Sequence, residues 1–199
     1  AIHWGRRWAG RAEALSEFTD ALEILDRVEG WIRRLPDQRS ADAVLDQVLL
    51  DQERLCETLG LRERQVDILD RLLARLRGSH DTRRLAEVHR RRGDVFTLLM
   101  RFDDAAGSLE RAWELVRGLD DPGAERHTLR SMGLLSWHAG RYDEALERVE
   151  RAVAIGRTRQ DEGLVAEFPL LRDPPAEQVV SAHRGAPRCG RAGARRRRS

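Results

Sequence analysis

The sequence predicts an all-α protein, built as a solenoid of antiparallel helix pairs. Three observations lead to this prediction. The 199 residues are rich in Leu, Ala, Arg and Glu, which all favour helices. Pro36 and Pro122 are the only prolines before residue 169, so long helices can form without interruption. A pattern of small and aromatic residues also recurs every forty residues.

The repeat is clearest in two segments, residues 91–115 and 131–155. They share a glycine, an aromatic residue and two alanines at a constant spacing of forty residues. The matching positions are Gly93 with Gly133, Phe102 with Tyr142, Ala105 with Ala145, and Ala112 with Ala152. A fixed period of this length is typical of proteins that stack one helix pair per repeat.

The pattern weakens toward the beginning of the chain. In the second copy, Arg62 replaces the aromatic residue and Gln65 replaces the alanine. The first copy offers Ala14, Phe18 and Ala21 at the spacing of a second helix, with no convincing first helix before them. We therefore predict about three and a half repeats. The copies cover residues 1–35, 41–77, 82–118 and 122–158.

Polar residues followed by helical patterns predict where helices begin. Asp121 precedes Pro122, and this pair favours a helix start because the carboxylate can accept a free backbone N–H and proline fits the first turn. Asp81 is expected to open the third copy. Ser40 is expected to cap a helix over residues 41–58.

Small residues predict where the two helices of a repeat meet. Gly60 and Gly140 fall in the turns within repeats, where glycine tolerates a positive φ. Ala145 and Ala152 are expected to lie where the helices approach closely, with Tyr142 filling the space beside the turn. A larger side chain at Ala145 would overpack this contact at a cost of about 1–3 kcal/mol. These residues therefore have a structural role.

The pattern resembles the tetratricopeptide repeat, a helix-turn-helix unit with the signature W-x2-L-G-x2-Y followed by A-x3-F-x2-A. The resemblance covers roughly residues 10–160 and is strongest in the last two copies. In the third copy, His89 and Arg92 occupy positions that are usually apolar, so we expect this helix to bury Val88 and Val95 instead. The resemblance implies a right-handed α-solenoid.

The resemblance also implies a function as a protein-interaction scaffold. In this family, the first helices of successive repeats line a concave groove that holds a partner peptide or helix. The groove positions of the last two copies give the candidate residues Glu87, Arg90, Asp94, Thr97, Leu98, His127, Arg130, Leu134, Trp137 and His138. Because Trp and Arg often dominate binding energies, we expect Arg90, Arg130, Trp137 and His138 to hold the partner, and an acidic peptide would suit them. Packing of Trp137 against a neighbouring helix is the alternative.

The sequence contains no motif for catalysis, a cofactor or a metal. It has no glycine-rich phosphate loop, no nucleophile motif and no paired metal ligands. His127 and His138 are eleven residues apart, which places them about 16 Å apart along a helix. Cys56 and Cys189 form neither a disulfide framework nor a metal-ligand spacing, and Cys56 is expected to be a buried, inert thiol. We therefore predict a non-catalytic protein without a cofactor.

The charge is distributed unevenly along the chain, although the formal net charge is only +2. Residues 178–199 contain seven arginines and no acid, which leaves 29 arginines against 34 acids in residues 1–177. We divide the chain into a repeat domain over residues 1–168 and a disordered tail over residues 169–199, which is rich in Pro, Gly and Arg. The tail is either a basic arm or an out-of-frame reading of GC-rich DNA. As a basic arm it would bind nucleic acid or an acidic surface, which is the alternative function.

The resemblance extends to the setting of the repeats. Arg-rich arrays with a forty-residue period resemble those that follow the nucleotide-binding domain in large bacterial signalling ATPases, cyclases and transcriptional regulators. This implies a fragment of a longer protein with an ATPase or regulatory domain upstream. The start at Ala1 and the end of the pattern near residue 168 are expected of a fragment. Two cysteines, no signal peptide and no apolar run of about 20 residues predict a cytoplasmic location.

Overall fold

In a computed structural model, the described residues are 2–36 and 38–158, and they form eight helices and no strand. The helices are α1 (Ile2–Ala14), α2 (Phe18–Ile32), α3 (Gln38–Leu59), α4 (Arg62–Arg75), α5 (Thr82–Leu98), α6 (Phe102–Val116), α7 (Pro122–His138) and α8 (Tyr142–Thr158). The predicted all-α fold class is confirmed. The predicted tail lies outside the described residues.

The helices form four pairs, each made of an odd-numbered A helix and the even-numbered B helix that follows it. The B helices α2, α4 and α6 also pack against the A helix of the next pair, so the pairs stack in chain order. In addition, α5 contacts α7. The A helices of the last two repeats therefore lie side by side on one face of the stack.

The same turn joins the A and B helices of every pair. Gly60 and Gly140 adopt φ values of +70° and +75°, as predicted for these turns. Ser16 and Met100 take the same conformation at φ values of +63° and +60°, although neither is glycine. In all four turns the next backbone N–H donates to the carbonyl five residues earlier, at 2.8–2.9 Å. The hydrogen-bonded turn, rather than the glycine, is the feature that the repeats share.

Two of the three predicted helix starts are confirmed. The carboxylates of Asp81 and Asp121 each accept the backbone N–H three residues later, at 3.0 and 3.1 Å. The prediction for Ser40 is wrong, because α3 begins at Gln38 and Ser40 lies in its first turn. The effects of proline on a helix fall on its own N–H and on the residues before it, so Pro36 does not prevent a helix from beginning at Gln38.

The first repeat is complete, which corrects the prediction of half a copy. The missing first helix is α1, which includes Ala14, and Ala21 in α2 takes the buried position of the first repeat alanine. The sequence did not reveal α1 because its buried face consists of Gly5, Ala9 and Ala12. Such small residues leave no visible stripe of large apolar side chains. The described residues therefore form four repeats instead of three and a half.

The repeat glycines allow the closest approach between paired helices. A Cβ atom at Gly93 would lie 2.5 Å from Cγ of Leu109 in α6. A Cβ atom at Gly133 would lie 2.8 Å from Cγ2 of Val149 in α8. Ala105, at the same contact, is completely buried. The small residues at these positions thus set the distance between the helices.

The main core runs from α1 to α7. Val88 and Val95 are 1% and 2% exposed, whereas His89 and Arg92 are half-buried. This confirms the prediction that α5 buries the two valines instead of the usual repeat positions. Cys56 is also completely buried, and burial raises the pKa of its thiol. It is therefore a structural thiol, as predicted.

A smaller core cluster closes the last repeat. Leu129, Val149 and Ala152 form its centre. Ala112 of the third repeat is equally buried at the position that matches Ala152. Phe102 is the first residue of its B helix, as Tyr142 is of α8. The motif residues thus occupy equivalent structural positions in both repeats.

We predict opposite effects for two Gly→Ala substitutions. Gly93→Ala should lower the free energy of unfolding by about 1–3 kcal/mol, because the new Cβ meets Leu109. Gly107→Ala in α6, where no atom lies within 4 Å of the new Cβ, should raise it by about 0.5–1 kcal/mol through helix propensity. Urea denaturation followed by circular dichroism measures both. Equal effects at the two sites would show that the helix contact at Gly93 does not control stability.

Candidate binding groove

A cavity of about 290 Å³ opens along the A helices of the second, third and fourth repeats. We call it the A-helix groove. Its lining includes Glu57 of α3, Arg62 at the start of α4, Asp94 and Leu98 of α5, and His127 and Arg130 of α7. Most of these side chains are charged or polar, and Leu98 supplies an apolar surface that is 55% exposed.

Six of the residues predicted from the sequence line the cavities on this side. The A-helix groove is lined by five of them, Arg90, Asp94, Leu98, His127 and Arg130. Glu87 lies beside it and lines an adjoining cavity of about 300 Å³, which it shares with His127. The groove positions of α5 and the first half of α7 thus lie together in space.

The remaining predicted residues lie elsewhere. Thr97 is 4% exposed, and its hydroxyl donates to the Gly93 carbonyl at 2.9 Å, so it lies beneath the surface. Leu134 and Trp137 pack against the small core cluster of the last repeat. The Trp137 ring makes an edge-to-face contact with Tyr142, with 5.0 Å between the ring centroids.

His138 is exposed at the end of α7 and lines neither of the two cavities. The second half of α7 therefore contributes to packing around Trp137 and to the exposed end of the helix. Trp137 therefore packs against the neighbouring helix, which was the alternative to a position in the groove.

A buried polar pair takes the place of the small residues in the second repeat. Glu53 is forty residues before Gly93, and Gln65 is forty residues before Ala105. Their side chains are buried, at 1% and 2% exposure, and the Gln65 amide donates to Glu53 Oε1 at 2.7 Å. Because the two side chains need more room than glycine and alanine, α3 and α4 approach each other less closely than α5 and α6.

The polar pair begins a network that connects three repeats. Arg91 of α5 reaches back and donates to Glu53 at 2.7 Å. It also donates to Glu87 at 2.8 Å, and Glu87 accepts from Arg90 at 2.7 Å. Arg90 then pairs with Asp94 at 2.6 Å and lies 3.4 Å from a serine hydroxyl of α7. Opposite charges thus alternate along the floor of the A-helix groove.

The network fixes the charge states of several groove residues. Burial would raise the pKa of Glu87, but hydrogen bonds and charge from Arg90 and Arg91 lower it to about 2. Burial raises the pKa of Asp94, and the Arg90 charge opposes this shift. Burial and neighbouring arginines lower the pKa of His127. Near neutral pH, Glu87 is therefore ionised and the His127 imidazole is neutral, able both to donate and to accept a hydrogen bond.

Sequence reasoning missed the contribution of the second repeat to the groove. Arg62 and Gln65 were visible as departures from the repeat pattern, and Glu53 departs in the same way by replacing a glycine. A large polar residue at a position that packing reserves for a small one was the available signal. Arg91 offered no such signal, because its role depends on the contact with α3.

The charged and polar side chains of the groove are suited to binding through hydrogen bonds and charge.

The described residues meet the requirements of neither a metal site nor a membrane span. Across residues 2–36 and 38–158, no group of three or more His, Cys, Asp or Glu side chains is placed to hold a metal ion. Within the same ranges, no helix combines the length and apolar character that crossing a bilayer requires.

Comparison with protein families identifies the repeat. Residues 84–158, which form α5 to α8, match the family model of the tetratricopeptide repeat. The matched segment contains both clear copies of the pattern. A comparison with curated proteins finds no match.

Several solved structures share the fold at low sequence identity. The apo form of RapI has a TM-score of 0.74 and 14% identity, with 91% of this chain and 50% of that chain covered. A Rap protein complexed with Competence and Sporulation Factor has a TM-score of 0.69 and 14% identity, covering 92% and 52%. A putative kinesin light chain from Podosopora anserina has a TM-score of 0.65 and 11% identity, covering 92% and 93%. The chain thus spans about half the length of the two Rap structures.

We predict that removing the buried carboxylate of Glu53 destabilises the protein. Glu53→Ala leaves the Gln65 amide and the Arg91 guanidinium without this acceptor, and should lower the free energy of unfolding by about 2–3 kcal/mol. Glu57→Ala, one turn later on the exposed side of α3, is the matched control and should change it by less than about 0.5 kcal/mol. Urea denaturation measures both variants. A loss at Glu53 no larger than at Glu57 would contradict a structural role for the network.

Proposed function

We propose that this chain, whose residues 84–158 match the tetratricopeptide-repeat family, is a non-catalytic interaction module whose A-helix groove binds a peptide or helix of a partner protein. The observation that carries this proposal is the groove itself. It runs across the A helices of three repeats, with an ordered network of charges along its floor. Side chains that are already held by hydrogen bonds and ion pairs lose less conformational entropy on binding.

The charged groups of the groove suggest the chemistry of the partner. Arg90 and Arg91 already pair with carboxylates of the protein, so they hold the groove side chains in place more than they attract a ligand. Arg62 donates to the side chain of Gln65 and has no carboxylate partner among the described residues. We infer a peptide that places an apolar side chain on Leu98 and a carboxylate near Arg62.

The structural comparisons support a binding role. One Rap protein was solved in complex with Competence and Sporulation Factor, and the present chain shares its fold over about half of its length. A fold of this kind can therefore hold a ligand. A setting in bacterial signalling, a neighbouring ATPase or regulatory domain and a cytoplasmic location are parts of the same proposal, based on the resemblance of the repeats.

The alternative function depends on the seven arginines of residues 178–199. These residues lie outside the described part of the chain. Binding of nucleic acid or an acidic surface there stays a prediction from the sequence.

A displayed library of random peptides tests the groove directly, because it samples many peptide chemistries at once. We predict that the full chain selects peptides with an apolar residue and at least one acidic residue. A Leu98→Glu, Arg62→Glu double variant should bind them at least roughly tenfold more weakly, because it removes the apolar contact and reverses the charge that we infer to meet the peptide carboxylate. Fluorescence anisotropy with labelled peptides measures the affinities.

The control is Glu147→Arg, which reverses an exposed charge on α8, outside the groove. It should bind the selected peptides as tightly as the wild type does. Circular dichroism confirms that all variants keep their helices. Equal binding by the groove variant, or a library that yields no binder, would contradict the proposed function.

A further inference from the structure

The cavity that adjoins the A-helix groove lies between the third and fourth repeats. Its volume is about 300 Å³, and we call it the side pocket. Ala86 of α5 and Val116 at the end of α6 belong to its lining and are buried, each at 2% exposure. Ala124, near the start of α7, is a third apolar residue of the lining. The side pocket is therefore lined in part by short apolar side chains.

An ion pair occupies the equivalent place between the second and third repeats. Ala86 is sixteen residues before the start of its B helix, and Ala124 is eighteen residues before the start of its own. The residues at these positions one repeat earlier are Asp46 and Arg84, whose charged groups lie 3.2 Å apart. Arg75 of α4 also donates to the Asp46 carboxylate. Long side chains thus fill the space that the two alanines leave open.

Apolar side chains take the same two positions between the first and second repeats. The equivalents there are Ile2 of α1 and Val44 of α3. Both are partly buried and pack against the main core. Among the four described repeats, only the junction of the third and fourth has alanine at both positions. The side pocket is therefore a local departure from the way the other repeats fill their junctions.

The charged groups at the rim of the side pocket are already paired within the protein. Arg83 forms an ion pair with Asp121 at 2.8 Å. Glu87 accepts hydrogen bonds from Arg90 and Arg91 at 2.7–2.9 Å. A charged ligand group would lose water in the pocket without gaining an opposite charge of its own. The side pocket therefore favours a neutral group.

The Glu87 carboxylate can still accept one hydrogen bond. Its Oε1 atom accepts from both arginines, whereas Oε2 accepts from Arg90 alone among the described residues. A carboxylate has about four acceptor sites in total, so one remains. An apolar cavity of about 150 Å³ can already hold benzene, and the side pocket is larger. An aromatic ring with an N–H or O–H donor suits both the apolar lining and this acceptor.

We propose that the side pocket holds a Trp or Tyr side chain of the peptide in the A-helix groove, an inference that rests on the proposed function. One peptide can reach both cavities, because His127 lines both. Glu87 is eleven residues before Leu98, which is about 16 Å along α5. An extended peptide covers this distance in about five residues. The Trp or Tyr therefore lies about five positions from the apolar residue on Leu98, and its N–H or O–H donates to Glu87.

Peptides that the full chain selects from the displayed library test this proposal. We expect Trp or Tyr about five positions from the apolar residue. Replacing this aromatic residue by Ala in the peptide should weaken binding to the wild type roughly tenfold or more. Ala124→Leu fills the side pocket, so it should weaken binding of the original peptide by a similar factor. It should bind the Ala-substituted peptide as the wild type does, and fluorescence anisotropy measures all four affinities.

Two further variants separate filling of the pocket from damage to the fold. Ala74→Leu adds the same side chain at an exposed position of α4 and should leave all affinities unchanged. Ala86→Asp, Ala124→Arg rebuilds the ion pair of the preceding junction and serves if Ala124→Leu does not fold. It should likewise remove the difference between the two peptides. Circular dichroism shows whether each variant keeps its helices.

The outcomes distinguish failure of this proposal from failure of the proposed function. Selected peptides without Trp or Tyr at this spacing would overturn the side pocket but leave the groove intact. The same would follow if the Ala substitution in the peptide weakened binding equally to the wild type and to Ala124→Leu. A library without any binder would contradict the proposed function, and N-acetyltryptophanamide then tests the pocket alone. Amide NMR shifts at Gly123 and Ala124 that Ala124→Leu abolishes would support an aromatic pocket, and no shifts would overturn it.

Discussion

The distance between the two helices of each pair is the constraint on which the rest of the structure depends. Gly93 permits a close approach in the third repeat, where even a methyl group would collide with Leu109. In the second repeat, Glu53 and Gln65 instead keep the helices further apart and join them by a buried hydrogen bond. The spacing of each pair then determines which side chains of the A helix reach the next repeat.

This difference between repeats connects packing with the candidate binding surface. A buried carboxylate costs desolvation free energy unless cations and hydrogen bonds compensate it. Glu53 is compensated partly by Arg91 from the next repeat, which then also orders Glu87 and Arg90. The departure from the repeat pattern therefore organises the charges along the groove. The second repeat is joined to the third by polar contacts, and Arg91 of the third repeat supplies part of the hydrogen bonding that Glu53 needs.

Much of the fold was predictable from the sequence because its causes are local. Periodic small residues, the turns at Gly60 and Gly140 and the acidic caps act within one helix pair. The groove network was not predictable, since Glu53 and Arg91 are 38 residues apart and meet only after the repeats stack. The turn at Met100 shows the same limit, because the hydrogen bonds of the fold impose a positive φ that its side chain does not favour. The candidate site was predictable only where the groove positions of the tetratricopeptide repeat face the A-helix groove, as they do in α5 and the first half of α7.

A photocrosslinking amino acid at Leu98 tests the central claim, that the partner lies in the A-helix groove. The same amino acid at Gly107, on the open surface of α6, gives the comparison. In lysate of the host, we predict a discrete crosslinked partner from position 98 that a selected groove-binding peptide displaces. Capture from position 107 alone, or capture that the peptide does not reduce, would contradict this claim.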